Sequence, residues 1–385
     1  MEIFSVWAKR KSHRTASIPA SQKGLYRQKQ CCPGVSRNSY LQVFILALIC
    51  ILFLIVLSMF NLPIPAVNVP NPSDTRAGRR ASGVTLLIWW PPFGNRNPLP
   101  DCASRYGIQG CNVTSDRRAY AHADAVIIHN RELMNNWNGL PQMQRPPSQK
   151  WIWMNFESPS HSGWLDGLDG IFNLTMSYRV DSDIFLPYGY LQRHRRYGLR
   201  VDNKALLRRK RGLVAWVVSN WGEQQDRVRF YWRLRRYIHV DVYGHQARQL
   251  LNNSVVQTVS SYKFYLAFEN SIHTDYITEK LWRNALVSGT VPVVLGPPRE
   301  NYELFLPADA FIHVDDFKGP RALAAYLLHL ARNPTQYRRY LAWRGDYSVH
   351  VTSFWSEHYC SACQSVQQSQ NQNKTIKHLA FWFQS

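Results

Sequence analysis

Residues 41–60 read LQVFILALICILFLIVLSMF, twenty consecutive positions without a charged side chain. At about 1.5 Å per helical residue the run extends roughly 30 Å, the thickness of a bilayer's hydrocarbon core. It is read as one membrane span rather than a buried soluble helix. A cleaved signal peptide fits poorly, because the apolar region is too long and forty residues precede it. Those forty carry eight basic side chains (Lys9, Arg10, Lys11, Arg14, Lys23, Arg27, Lys29 and Arg37) against one acid, Glu2, while 61–75 hold no basic residue. The positive-inside rule keeps the N-terminus cytoplasmic and sends everything after Phe60 into the secretory lumen.

That orientation decides what the charge means. With 46 Lys and Arg against 25 Asp and Glu, the formal charge is +21, which by itself suggests nucleic acid, an anionic surface or a phosphorylated substrate. A luminal location removes nucleic acid. Four N-x-Ser/Thr sequons, at Asn112, Asn173, Asn252 and Asn373, agree with it as candidate glycosylation sites. Cys102 and Cys111 stand near the start of the luminal part, Cys360 and Cys363 near its end. The Cys-x-x-Cys suits a zinc half-site or a redox pair, but an oxidising lumen and a second pair favour disulfides. Cys31, Cys32 and Cys50 lie on the cytoplasmic side or in the membrane, where palmitoylation is a candidate role.

The chain therefore divides into a basic tail (1–40), an anchor (41–60), a Pro-rich stem (61–81) and about 300 residues of ordinary globular composition, enough for two domains. Short β-branched or aromatic runs at 84–90, 123–129, 151–156, 213–219, 237–243, 263–268, 291–296 and 310–314 predict buried strands. Helical patterns fall at 225–236, 278–288 and 321–332. Strand alternating with helix predicts an α/β fold with parallel, helix-covered sheets. The stretch 192–211 holds nine Lys/Arg and one acid and is read as a charged linker between the halves. Cleavage at its dibasic run, Arg208–Arg211, would cut the unit in two. Residues 364–373 are polar and expected to be exposed, and 376–383 are apolar and expected to dock back onto a domain.

Three segments have the layout that chemistry needs. In 262–296 a strand runs into Glu269-Asn270, and a helix starts near Thr278 with Glu279 and Lys280 in its first turn. A helix N-terminus facing the carboxyl end of a strand favours an anion such as a diphosphate, and Lys280 adds a full charge. The plainer reading is that Thr278-Glu279 caps the helix. Residues 213–229 repeat the layout, with Ser219-Asn220 at the turn and Arg227 in the helix, its planar fork suited to phosphate oxygens. The strand 151–156 delivers Glu157, placed as a general base. Asp181-Ser182-Asp183 has the form of a metal-holding Asp-x-Asp, although its neighbours suggest a packed turn. Fourteen tryptophans also leave room for a non-catalytic, membrane-anchored lectin.

The strings MNFESPSHS (154–162), FNLTMSYRVDSDIFLPYG (172–189), LVAWVVSNW (213–221), DVYG (241–244), YKFYLAFENSIHTDYITEKLWRNALVSGTVPVVLGPPRENYE (262–303) and FIHVDDF (311–317) resemble the animal α1,3/4-fucosyltransferases. The resemblance implies a Golgi type II enzyme of two Rossmann-like domains in the GT-B arrangement. The acceptor would bind in 82–200 and GDP-fucose in 201–363, with 364–385 as a polar tail whose end docks back. It implies Glu157 as general base and Ser219, Asn220, Arg227, Glu269, Asn270, Tyr276, Glu279 and Lys280 around the donor. Asn130, Arg131, Glu132 and His161 are implied on the acceptor side. It implies the pairs Cys102–Cys360 and Cys111–Cys363, no obligatory cofactor or metal (a divalent ion at most stimulatory), and structural roles for Asp181 and Asp183. The partners implied are GDP-fucose, N-acetyllactosamine-type glycans on glycoproteins or glycolipids, and the Golgi membrane, with room for a homodimer. The implied reaction is inverting transfer of fucose to the 3-OH of GlcNAc in Galβ1-4GlcNAc chains, sialylated chains included. Two residues depart from the family pattern. Asn130 replaces a commoner histidine, and Asp226 precedes Arg227, where an acid is expected to pair with the arginine and weaken donor binding.

Overall fold

Strands buried on both faces read as continuous apolar runs, and here they build two parallel sheets. The computed structural model describes residues 83–95, 97–136, 139–194, 203–244, 247–369 and 374–385. The tail, the span 41–60, the stem, Cys31, Cys32, Cys50 and Asn373 lie outside the described residues. Among those described, no helix is long and apolar enough to cross a membrane.

The first sheet contains β1 (Val84–Ile88), β2 (Cys111–Thr114), β3 (Ala125–His129), β4 (Lys150–Asn155), β5 (Leu174–Ser177) and β6 (Ile184–Phe185), in the order β2-β1-β3-β4-β5-β6. After β7 (Gly189–Arg193) comes the second sheet: β8 (Gly212–Val217), β9 (Asp241–Tyr243), β10 (Tyr262–Phe268), β11 (Val291–Leu295) and β12 (Ile312–His313), in the order β12-β11-β10-β8-β9. Every pairing within these two sheets is parallel. β7 pairs antiparallel with β13 (Tyr347–Val351). Counted along the chain, both sheets begin 2-1-3-4-5. Such an order reverses once, between β1 and β3 in one sheet and between β8 and β10 in the other, and ligands of doubly wound sheets bind at the carboxyl edge of that reversal.

The period of two decides which side chains cover which face. On β10, Phe264, Leu266 and Phe268 join one core cluster, while Tyr265 and Ala267 join the other. The predicted helices form at Asp226–Leu234 and Pro320–Arg332, packed on the same side. The third, expected as an α-helix over 278–288, is a wide π-type helix at Lys280–Val287, with Asn284 N–H donating to the Glu279 carbonyl at 2.8 Å. The strand expected over 237–243 is confined to β9. Its first residues continue the preceding helix as turns, with Arg235 N–H bonded to Tyr231 and Ile238 N–H to Leu234.

The C-terminal region departs from the expected division. Helix Ser356–Gln368 buries Tyr359, Ala362, Cys363 and Val366 in the core of the first sheet. The chain thus returns to the first half before residue 363, and 364–368 are helix rather than exposed tail. Leu379–Gln384 docks on the same core, with Phe383 fully buried and its ring 4.8 Å from that of Trp153.

The basic stretch 192–211 also differs from a free linker. Its described end holds a short helix, Asn203–Arg208, and then buried Lys210, whose Nζ donates to Thr290 Oγ1 at 2.8 Å. The N–H groups of Arg211 and Gly212 both donate to the Ser261 carbonyl. The segment is the lead-in to β8, and Lys210 is out of a protease's reach. Burial, reinforced by the Arg344 guanidinium, pushes the Lys210 ammonium down to about 7. Unfolding restores its ordinary value of about 10.4. Between the two the unfolded chain binds the extra proton, so stability rises with pH across that window. Melting curves from about pH 7 to 10 should show the parent gaining on Lys210→Met as pH rises; a constant difference between the two would count against this burial cost.

Candidate functional site

The reversal of the first sheet assembles one wall of the site. β1 ends at Ile88 because Pro91-Pro92 halts the strand, and the following turn brings Phe93 N–H to Glu132 Oε1 at 2.7 Å. Glu132 is also bonded to His129 Nδ1. Burial works to raise the Glu132 carboxyl, but the contacts to His129 and Phe93 hold it below its usual value. The Arg131 guanidinium lies 5.1 Å over the Phe93 ring. Asn130 does not join this surface. Its side chain is 1% exposed, donating to the Ser162 carbonyl at 2.9 Å and accepting from Trp153 Nε1 at 3.0 Å. The residue that departs from the family pattern is a core brace, not an acceptor contact.

β4 delivers Glu157. The Asn155 side chain accepts the Glu157 N–H at 3.1 Å and turns the chain, leaving Glu157 half-buried. Glu157 lines a cavity of about 270 Å³ together with Phe93, His129, Phe156, Tyr188, Phe354 and Trp355. Aromatic walls around one carboxylate suit a sugar, whose C–H faces lie on rings while its hydroxyls reach the acid. The sequence reading missed Phe93, Tyr188, Phe354 and Trp355, which come from three distant segments; the aromatic cluster just before Cys360 was the available signal. Below them lies His358, fully buried, its ring 4.4 Å from that of Phe156. Burial lowers its imidazole to about 3, so this floor is uncharged. His161 is exposed, contacts Ser158 Oγ at 2.9 Å and does not line this cavity.

The second reversal sets β8 beside β10. Beyond β8, Ser219 and Asn220 are exposed, and Arg227 sits in the first turn of helix Asp226–Leu234. Arg227 is 4% exposed and bonds neutral oxygens, Gln225 Oε1 at 2.9 Å and the Asn220 carbonyl. Among the described residues it makes no ion pair, and burial lowers its pKa. Glu269 and Glu279 offset part of that burial from a distance without pairing with it, and an anion in direct contact would relieve the rest. Asp226, expected to pair with Arg227, instead holds Arg229 at 2.7 Å.

Lys280 stands differently from the sequence expectation. Its Nζ lies 2.9 Å from Glu269 and 3.4 Å from Glu279, so its charge already has two partners. Glu269 is 2% exposed and also accepts the Thr278 N–H at 2.8 Å and the Thr278 hydroxyl. The turn leading into the helix, which seemed open to a diphosphate, is therefore already engaged at Thr278 by the protein's own carboxylate. Burial raises Glu269; Glu279 is held low by Lys280 against the effect of burial. Asn270, beside Glu269, is half-buried and accepts from Ser271 Oγ at 3.2 Å. Tyr276 is 3% exposed and lies in the aromatic core of the first half, its ring 5.1 Å from Tyr178. It acts as a strap from the second half rather than a surface ligand.

That strap brings the two carboxyl edges together. Ser271 Oγ bonds Ser158 Oγ at 2.7 Å, next to Glu157, and Ser160 Oγ meets His273 Nε2 at 2.7 Å. Asp275 accepts the Val180 N–H at 2.9 Å and holds φ +60° through paired bonds with Asn301. Asp181 and Asp183 lie elsewhere, both engaged by protein donors. Asp181 takes Arg179 and Trp382; Asp183 takes Thr175 and Lys374. Cys102 is bonded to Cys360 and Cys111 to Cys363. Of the sequons described, Asn112 and Asn252 are exposed. The Asn173 amide donates to the Lys374 carbonyl and accepts from Trp151 N–H and Arg145, which leaves it unsuited to carrying a glycan.

These environments separate the two cations experimentally. Arg227→Ala should weaken binding of a diphosphate anion by about 10- to 100-fold, the value of hydrogen bonds to a charged group, with little change in melting temperature. Lys280→Ala should also lower the melting temperature, because it strands buried Glu269. Calorimetric titration with a nucleoside diphosphate beside thermal melts distinguishes them, and equal melting losses would contradict the assignment.

A family model described as fucosyltransferase, N-terminal matches residues 81–189, and one for the C-terminal part of glycosyltransferase family 10 (fucosyltransferase) matches 207–382. Alpha-(1,3)-fucosyltransferase 4 of Bos taurus is 50% identical over 361 residues, covering 83% of this chain and 89% of its own. The Homo sapiens protein of that name is 48% identical over 341 residues, covering 78% of this chain and 64% of its own. The Pan troglodytes 4-galactosyl-N-acetylglucosaminide 3-alpha-L-fucosyltransferase FUT6 is 50% identical over 301 residues, covering 77% and 82%. Among solved structures, a crystal structure of alpha1,3-fucosyltransferase with GDP-fucose is 18% identical with a TM-score of 0.51, covering 81% of this chain and 98% of that one, a likeness of fold.

Proposed function

The chain belongs to glycosyltransferase family 10, the fucosyltransferases, and on that footing we propose that it transfers L-fucose from GDP-fucose to the 3-OH of GlcNAc in Galβ1-4GlcNAc chains, with inversion. In this reading the two parallel sheets are the halves of a GT-B enzyme. The first half, 82–200 completed by the C-terminal helices, takes the acceptor, and the second takes the nucleotide. The observation that carries the proposal is the pairing of a carboxylate in an aromatic cavity, Glu157, with a buried cation lacking an ion pair, Arg227. Each stands at the carboxyl edge of its own sheet, and the loops between them touch at Ser158 and Ser271.

Glu157 takes the proton of the GlcNAc 3-OH as the oxygen attacks fucose C1 from the face opposite GDP. The C1–oxygen bond breaks and its electron pair leaves with the diphosphate. The transition state has oxocarbenium character, so the second half's task is to stabilise negative charge on the departing group. Arg227 does this as a preorganised cation, while Lys280 holds the buried Glu269 and Glu279 in place beside it. The resemblance links arginine at position 131 to type 2 acceptors, and here Arg131 packs over Phe93, which lines the Glu157 cavity. The charge-free run 41–60 and its basic flank support a single-pass type II Golgi anchor with the catalytic part luminal.

The test is to incubate the full-length chain in detergent, with and without excess EDTA, with GDP-fucose and a panel of type 1, type 2 and sialylated type 2 acceptors. The product linkage is then read by NMR. The expected product is α1,3-fucosylated GlcNAc. Transfer that stops only with EDTA would instead bring back the metal-dependent reading, and GDP-fucose left unconsumed in both conditions would favour a lectin.

A further inference from the structure

Helices Asp226–Leu234 and Pro320–Arg332 cover the same side of the second sheet. Each follows a strand of that parallel sheet, so each runs from the carboxyl edge back to the amino edge. Two bonds to the second residue of β10 fix the amino end. Lys263 Nζ donates to the Ala331 carbonyl at 2.5 Å, and the Tyr337 hydroxyl donates to the Lys263 carbonyl at 2.6 Å. Gathered at this end are Arg233, Arg235 and Arg236 from the first helix and its exit turn, and Arg332, Arg338 and Arg339 from the second helix and the short helix Pro334–Arg339. All but half-buried Arg338 are exposed. Residues 227–240 and 317–345 contain no Asp or Glu. Asp226 and Asp241, the acids flanking the first segment, are taken by Arg229 and Arg248, and among the described residues none of these six arginines makes an ion pair.

We infer that this basic face is a docking surface for a sulfated polysaccharide, a partner separate from both substrates of the proposed transfer. Charge complementarity is the first argument. Unpaired guanidinium groups crowded on one face repel one another, and a polyanion laid across them removes that repulsion. The second is residue type. All six cations are arginine, whose planar, weakly hydrated fork bonds two oxygens of one sulfate at once. Arg235 is already oriented, its guanidinium 4.8 Å over the Trp232 ring. That ring is also held by its Nε1 bond to Glu223 at 2.9 Å, so it is not free to enter a bilayer. The luminal orientation proposed above leaves glycan sulfates, not nucleic-acid phosphates, as the source of such charge. The face also lies at the opposite edge of its sheet from Arg227, which separates it from the nucleotide.

The experiment titrates a fluorescein-labelled heparin octasaccharide with the full-length chain in nonionic detergent and reads anisotropy. Joint substitution Arg235→Ser, Arg236→Ser and Arg339→Ser should weaken binding by about tenfold, the worth of three exposed ion pairs, and added salt should weaken the parent's binding. A control with Arg105→Ser, Arg118→Ser and Arg283→Ser, which removes equal charge from exposed positions elsewhere, should bind as the parent does. Phenylglyoxal labelling of the parent, read by mass spectrometry, locates the contact: heparin should shield Arg235, Arg236 and Arg339 and leave Arg105 and Arg118 reactive. Equal weakening in the two triple variants, or shielding confined to the tail 1–40, overturns the inference. So does a charge-matched competitor of another class (polyglutamate, duplex DNA or phosphatidylserine mixed micelles) that displaces the probe at lower concentration than unlabelled heparin. Fucosyl transfer to Galβ1-4GlcNAc should be unchanged in the Arg235, Arg236 and Arg339 variant. Its absence from the parent would end the proposed function and leave this binding result standing.

Discussion

The substitution Glu157→Gln should lower turnover by about 10²–10⁴-fold, the usual contribution of a positioned general base, while GDP binds as tightly as before. The separation follows from where the side chain stands. Glu157 projects from the end of β4 into an aromatic cavity, and among the described residues it makes no ion pair. The bond that shapes its turn is made by its backbone N–H to Asn155. An isosteric amide therefore removes the proton acceptor without disturbing the loop. The GDP contacts proposed here belong to the other sheet, where Arg227 is held by Gln225 and Asn220. Single-turnover rates with saturating GDP-fucose, set beside GDP titrations, give the comparison. A Glu157→Gln enzyme that turns over within tenfold of the parent would exclude Glu157 as the base, and a matching loss of GDP affinity would point to a positional role instead.

The sequence showed the parallel α/β architecture because its central strands are covered on both faces and so appear as unbroken apolar runs. It hid β2, β5 and β6, which are two to four residues long and include Asn, Thr and Ser. Such strands owe their place to neighbours rather than to their own pattern. The candidate site was legible where a short stretch of sequence places the residue, as at Glu157 just after its strand and Arg227 in the first turn of its helix. It was not legible where a side chain's partner lies far along the chain. Asn130 looked like a recognition residue until Trp153 and Ser162 claimed it. Lys280 looked like a free charge because sequence spacing does not reveal that Glu269 points back at it. The aromatic wall required the chain to return at Phe354, a contact across some two hundred residues.

That return is what the disulfides secure, and removing both should destabilise the protein by more than twice the loss of either. Cys102–Cys360 and Cys111–Cys363 close loops of 258 and 252 residues, but they are nearly the same loop. In the chain-entropy account, the first closure of that length contributes about 5 kcal/mol. Once one bridge exists, the other closes only a ring of about a dozen residues, built from 102–111 and 360–363, and contributes about 3 kcal/mol. Serine in place of either pair should therefore cost about 3 kcal/mol, whereas the four-serine chain loses about 8 kcal/mol, comparable to the whole stability of a typical domain. Activity should follow the same nonlinearity. One surviving bridge still ties helix Ser356–Gln368 to β2 or to the short helix Cys102–Tyr106. It thereby keeps Trp355 at the Glu157 cavity. With neither bridge, the aromatic wall of the Glu157 cavity loses its covalent support, and acceptor KM should rise before GDP binding is lost. Thermal melts of the four chains, with acceptor KM and GDP affinity measured on each, test this directly. Strictly additive losses would mean that the two bridges constrain independent regions rather than one return of the chain.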